Sequence, residues 1–95
     1  MYTIPSAIYE KAAQNLCNQV GSSSYFSGSI AFTHEDVECR MVLSLIIYHK
    51  RTKMPEGRVE MIEDLVPVWW EFHTEIGGEE ILNDFDFAIL KEYII

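Results

Sequence analysis

The N-terminal part of the chain has apolar residues at the spacing of three and four that places them on one side of an α-helix. Between Pro5 and Val20 these residues are Ile8, Ala12, Ala13, Leu16 and Cys17, followed by Val20 itself. Pro5 is tolerated in a first turn, and the Gly-Ser-Ser-Ser stretch at 21–24 ends the pattern. The spacing therefore predicts an amphipathic helix over residues 5–20.

From Tyr25 onward the apolar period changes to two, which is typical of a half-buried β-strand. Two such strands are predicted, over residues 25–33 and 37–48, and the polar triplet at 34–36 has the composition of a turn between them. The second strand is apolar on one face throughout. Its other face becomes apolar toward the C-terminal end of the strand.

A third strand follows residues 54–57, Met-Pro-Glu-Gly, which have the preferences of a type I turn. The first half of this strand fits neither period, and Pro67 lacks the N–H that a central strand donates, so we expect an edge position or a β-bulge there. Adjacent strand residues point to opposite faces, which predicts that Trp70 enters the core and Trp69 faces outward. A bulge near Pro67 leaves that assignment open.

The chain after this strand predicts one more element. Gly77-Gly78 ends the strand, and residues 87–93 contain good helix formers behind several N-cap candidates at 83–86. The predicted order is α-β-β-β-α. We assign residues 1–95 to a single α+β domain, an antiparallel three-stranded meander flanked by an N-terminal helix and a short C-terminal helix.

Composition and charge limit the classes of function. The 95 residues are 48% hydrophobic, which is sufficient for one core without disulfides or metal. The net charge of -8 argues against a protein that binds nucleic acid over its whole surface, because that affinity comes from Lys and Arg. No basic leader and no apolar stretch of about 20 residues is present, so we expect a cytoplasmic protein with no membrane contact.

Few residues are candidates for chemistry. Cys17 and Cys39 have no CxxC spacing, and both are interpreted as small buried hydrophobes. Glu71, His73 and Glu75 alternate onto one strand face, but such residues form a row and do not converge on one ion, so we interpret them as a solvated face. With no nucleophile or nucleotide motif either, we predict no catalytic, cofactor or metal site, and no enzyme.

The outer face of the predicted sheet collects apolar and aromatic residues. They are Tyr25, Val42, Ile46, Tyr48 and Trp69. Exposed patches of this kind usually mark contact sites, and in a symmetric dimer the patch meets its own copy. Full burial of one Trp and two Tyr removes about 450 to 750 Å², close to the roughly 800 Å² per partner of a standard interface. The alternative is that the C-terminal helix covers this face and the first helix covers the other.

Charge is unevenly distributed along the chain. Lys50, Arg51, Lys53 and Arg58 supply four of the seven basic residues and predict a basic loop at the second connection. Nine carboxylates lie in the 27 residues from Glu60 to Asp86. The basic loop is either a solvated hairpin end or one half of a head-to-tail contact with an acidic surface.

These features favour a small non-enzymatic protein–protein interaction domain, a homodimer or a subunit of a larger complex, that uses the outer face. Two alternatives stay open. The acidic surface would suit an inhibitor that competes with nucleic acid for a basic groove. The aromatic residues Tyr25, Tyr48 and Trp69 would suit stacking with single-stranded bases, with the basic loop on the backbone, although the net charge of -8 makes nucleic acid an unfavourable partner.

Overall fold

The computed structural model describes residues 1–54 and 57–95, with side chains described for 1–51 and 61–95. Within these residues the elements are α1 (Ser6–Val20), β1 (Tyr25–His34), β2 (Val37–Met54), β3 (Gly57–Ile76), β4 (Glu79–Ile81) and α2 (Phe87–Glu92). The predicted α+β class, the meander and both helices are confirmed. The type I turn predicted at 54–57 includes residues 55 and 56, which lie outside the described residues.

The sheet has the order β1-β2-β3-β4, and its neighbouring strands are antiparallel. The short strand β4 was not predicted. It pairs with residues 74–76 of β3 after a two-residue turn in which Gly77 and Gly78 have φ values of 61° and 84°. Two consecutive positive φ values are typical of the tight turns that join hairpin strands, so this Gly-Gly pair starts a hairpin where the prediction ended a strand.

Strand β3 contains two irregularities in its pairing with β2. Ser44 pairs with Trp69 whereas Leu45 pairs with Pro67, which leaves Val68 as an extra residue. A second shift, between Tyr48 and His49, leaves Glu63 unpaired in the same way. The bulge expected near Pro67 is therefore present. Because β4 reaches only residues 74–76, Pro67 also lies where β3 has a partner strand on one side only.

The core lies between one face of the sheet and both helices. The sheet contributes alternate residues of β2, from Val37 to Ile47, together with Leu65 and Phe72 of β3. The ring of Phe85, just before α2, stacks on Phe72 at 4.0 Å and on Tyr9 of α1 at 5.1 Å between centroids. Both helices therefore pack on the same face, and the alternative with one helix on each face is wrong.

The helix ends follow from local sequence. Helix α1 starts after Pro5 and ends at Gly21, which has a φ of 54° and donates its N–H to the carbonyl of Cys17. Asp86 caps α2, since its side chain accepts from the N–H of Ala88 at 2.9 Å. One prediction for α1 is wrong: Cys17 is exposed, because it lies about 100° around the helix from the fully buried Leu16. Cys39 is buried as predicted.

Leu43 tests this assignment of the core. Its side chain is fully buried on the helix-covered face, so Leu43→Ala should lower the free energy of unfolding by about 2 to 5 kcal/mol. The matched control is Leu82→Ala, because Leu82 is 82% exposed and its change should cost less than about 0.5 kcal/mol. Urea unfolding followed by circular dichroism measures both variants. Equal losses in the two would contradict the assignment.

Candidate interaction face

The face of the sheet opposite the helices, here called the outer face, collects all five residues of the predicted contact patch. Tyr25 pairs with Ile46, and Ile46 pairs in turn with Val66, so these three side chains form a row across β1, β2 and β3. Trp69 lies in the adjacent row opposite Ser44. We call this set the apolar patch. Its members are Tyr25, Val42, Ile46, Tyr48, Val66 and Trp69.

Val66 was missed from the sequence because of the bulge. Without an extra residue, Val66 and Trp69 are three positions apart and would lie on opposite faces of β3. The bulge at Val68 reverses the alternation, so the two side chains share the outer face. Pro67 indicates a bulge in the sequence, but it does not identify which neighbouring residue is the extra one.

The two tryptophans lie on opposite sides of the sheet, as predicted. Trp70 packs on the helix side, with its ring centroid 5.6 Å from that of Phe85 and 6.3 Å from that of Phe87. Trp69 is 47% exposed on the outer face, and Tyr25 and Tyr48 are 55% and 52% exposed. The patch is thus about half covered by its own neighbours.

One end of the outer face is acidic. Glu38 pairs with Glu75, and Glu75 pairs with Glu80, so three glutamates lie side by side across β2, β3 and β4. We call them the glutamate row. Like charges directly opposite one another destabilise a sheet. The neighbouring row places Arg40 opposite His73, which puts two groups that can carry positive charge next to the three carboxylates.

His73 is held between two carboxylates. Its Nδ1 lies 2.6 Å from Oε1 of Glu80, and its Nε2 lies 2.8 Å from Oε2 of Glu71. Both ring nitrogens donate in this arrangement only when the imidazole is protonated. The hydrogen bond with Glu71, followed by that with Glu80, raises the pKa of His73 above its usual 6.5, against the opposing effect of burial.

The predicted row of Glu71, His73 and Glu75 is therefore only partly brought together. Glu71 contacts His73, but the second carboxylate on the imidazole is Glu80 of the unpredicted strand β4. Both imidazole nitrogens are occupied by these carboxylates. Within the part of the chain that the structure describes, no group of three His, Cys, Asp or Glu side chains is arranged to hold a metal ion.

The opposite end of the outer face carries an exposed lysine. Lys50 continues the outward alternation of β2 beyond Tyr48, whereas Arg51 next to it is exposed on the opposite face. The prediction of a basic loop is wrong in its structure, because Lys50, Arg51 and Lys53 lie on β2 and Arg58 lies on β3. The two strands stay paired as far as residues 54 and 57. The side chains of Lys53 and Arg58 lie outside those described.

Known proteins provide no comparison for this face of the sheet. No family model matches the chain, and no curated protein or solved structure is significantly similar to it. Among the helices of the described residues, none has the length and apolar character required to cross a membrane. The outer face is therefore the basis for inferring function.

The two carboxylates on His73 predict a pH dependence. Because its pKa is raised in the folded state, the contact stabilises the fold fully below the unfolded value near 6.5 and is lost as the pH rises through the folded value. Glu80→Gln should lower the pKa of His73 and reduce stability at pH 5 to 6 more than at pH 9. NMR titration of the imidazole and urea unfolding measure these effects.

Glu79→Gln is the matched control. It removes the same charge from β4, but Glu79 pairs with Ile76 and makes no hydrogen bond to His73. Its effect on the pKa of His73 should be clearly smaller than that of Glu80→Gln. An imidazole that titrates at the same pH in the wild type and in both variants would contradict the assigned contacts.

Proposed function

We propose that this protein is a small interaction domain that forms a homodimer through the apolar patch of the outer face. One observation carries the proposal: both helices cover the other face of the sheet, so no described helix or strand packs over the patch. Apolar groups that are clustered and left in water favour association, because burial removes their surface from solvent.

The structure reduces the area expected from the sequence. The three aromatic side chains are already about half covered, so their remaining surface is about 225 to 375 Å² per copy, half of the value for full burial. At about 25 cal/mol per Å², this area contributes roughly 6 to 9 kcal/mol from each copy. Association costs of about 4 to 15 kcal/mol oppose it. The aromatic area also falls short of the roughly 800 Å² per partner of a standard interface, so an interface of that size has to include more of the outer face than its aromatic residues.

A second copy is the occupant that fits this face best. Two such sheets pack face to face at a separation of about 10 Å, as in β-sandwiches. The patch is central, with Lys50 beyond one end and the glutamate row beyond the other. A symmetric contact then places apolar surface on apolar surface and charged surface at the rim, as in most protein interfaces.

The other two hypotheses receive less support. Tyr25, Tyr48 and Trp69 do share one face, but the glutamate row lies on that same face and repels phosphates. The glutamate row would suit a basic groove on another protein. Contact with such a groove leaves the apolar patch next to the row unexplained, so we do not adopt the inhibitor hypothesis.

Trp69→Glu tests the proposal, because it places a charge in the middle of the patch. Light scattering over a range of concentrations should show a dimer for the wild type and a monomer for the variant, with a dissociation constant raised at least 100-fold. Circular dichroism should show that the variant is folded, since Trp69 lies outside the core. A wild type that stays monomeric at several hundred micromolar would refute the proposal.

Two controls separate the patch from other apolar positions. Leu82→Glu introduces the same charge at an 82% exposed leucine outside the sheet and should leave the dimer intact. Trp70→Glu should instead unfold the domain, since it places an unpaired charge against Phe85 and Phe87. Loss of the dimer in Leu82→Glu as strong as in Trp69→Glu would argue against a specific role for the patch.

A further inference from the structure

We propose that the two copies of the dimer pack with their strands running in opposite directions, so that the glutamate row of each copy meets Lys50 of the other. This inference rests on the proposed function, a dimer formed through the outer face. It adds the orientation of the partner and the contacts at both ends of the interface.

Symmetry leaves two simple ways to place one outer face on another. In both, the two-fold axis lies between the sheets and parallel to them. With the axis along the strands, the same ends of the two copies meet. With the axis across the strands, opposite ends meet. The apolar patch is central and fits both, so the groups at the two ends decide between them.

The two ends differ in net charge. At the acidic end, the glutamate row and Glu71 give four carboxylates, against Arg40 and a protonated His73, which leaves an excess of two negative charges. At the other end, the described side chains on the outer face include Lys50 and the exposed Glu63, whose charges balance. Asp64 follows directly but is paired with Lys91 of α2, with its Oδ1 2.5 Å from Nζ, so it adds no net charge to this end.

The area of the interface brings these ends into contact. The aromatic residues supply about 225 to 375 Å² per copy, and a standard interface needs roughly 800 Å² per partner. Most of the remaining area has to come from the rest of the outer face, including its ends. Meeting of the same ends would bring two glutamate rows together, whereas meeting of opposite ends relieves the repulsion that each row already contains.

The orientation fixes a measurable distance. Thr33 lies on the outer face of β1 opposite Glu38, and it can carry a spin label without changing either charged end. If the two-fold axis crosses β2 near Ser44, midway between Glu38 and Lys50, two labels at Thr33 lie about 40 Å apart at 3.3 Å per residue. If the same ends meet, the two labels lie within about 20 Å, given sheets roughly 10 Å apart.

The experiment is pulsed electron paramagnetic resonance on Thr33→Cys labelled at neutral pH in a Cys17→Ser background. Cys17 is exposed and has to be removed. Cys39 can stay, because burial raises its pKa to about 11 and the thiol is unreactive at pH 7. A separation near 40 Å in a sample that light scattering shows to be dimeric supports the proposal.

Two other results overturn it in distinguishable ways. A dimer with labels within about 20 Å keeps the proposed function but reverses the orientation. A labelled protein that is monomeric, with an unlabelled wild type that is also monomeric, refutes both. If the labelled protein alone is monomeric, the charge variants described next decide the orientation on unlabelled protein.

Charge reversal provides that second measurement. Lys50→Glu and Glu38→Lys/Glu75→Lys should each weaken the dimer at least 10-fold, and the loss should shrink at high salt. Both changes in one chain should restore the dimer, because the ends that meet are again opposite in charge, whereas like ends would still repel each other. A combined variant that dimerises as weakly as Lys50→Glu alone would overturn the orientation.

Discussion

A strand can bury one face along its whole length only if its apolar side chains keep alternating in step, and β3 is the place where this requirement is hardest to meet. Leu65 and Trp70 are five residues apart, so strict alternation would place them on opposite faces. The extra residue at Val68 puts both against the helices. A second extra residue, Glu63, places Ile62 on the same face as Leu65, and Ile62 also packs against the core. The rest of the fold depends on these two bulges.

Because β3 keeps Leu65, Trp70 and Phe72 on the helix-covered face, a continuous aromatic cluster joins the sheet to both helices. Phe85 is its centre, in contact with Phe72 and Trp70 of the sheet and with Tyr9 of α1. The hydroxyl of Tyr9 accepts a hydrogen bond from the N–H of Asp86, which starts α2. Concentrating both helices on this cluster is what leaves the opposite face of the sheet to solvent.

The predictability of each element follows from the length of its regular pattern. The helix α1 and the strand β1 each keep one period over nearly their whole length, and their predicted bounds agree with the structure to within one residue. The apolar period of β2 ends at Tyr48, so the sequence predicts only the first twelve residues of this strand and places the basic residues that continue it in a loop. Strand β4 has three residues, two of them glutamates, and gave no strand pattern. Its absence from the prediction also hid the contact between Glu80 and His73.

The same bulge has a further consequence for how copies of this chain can assemble. Along residues 65–70, β3 presents an unpaired edge, a position where strands of other molecules commonly add. Pro67 offers no N–H there, and the extra residue at Val68 interrupts the regular spacing of donors and acceptors. Growth by strand addition at this edge, which has no natural limit, is therefore disfavoured. A sheet with helices on one side has a single free face, and an assembly built on it is complete at two copies.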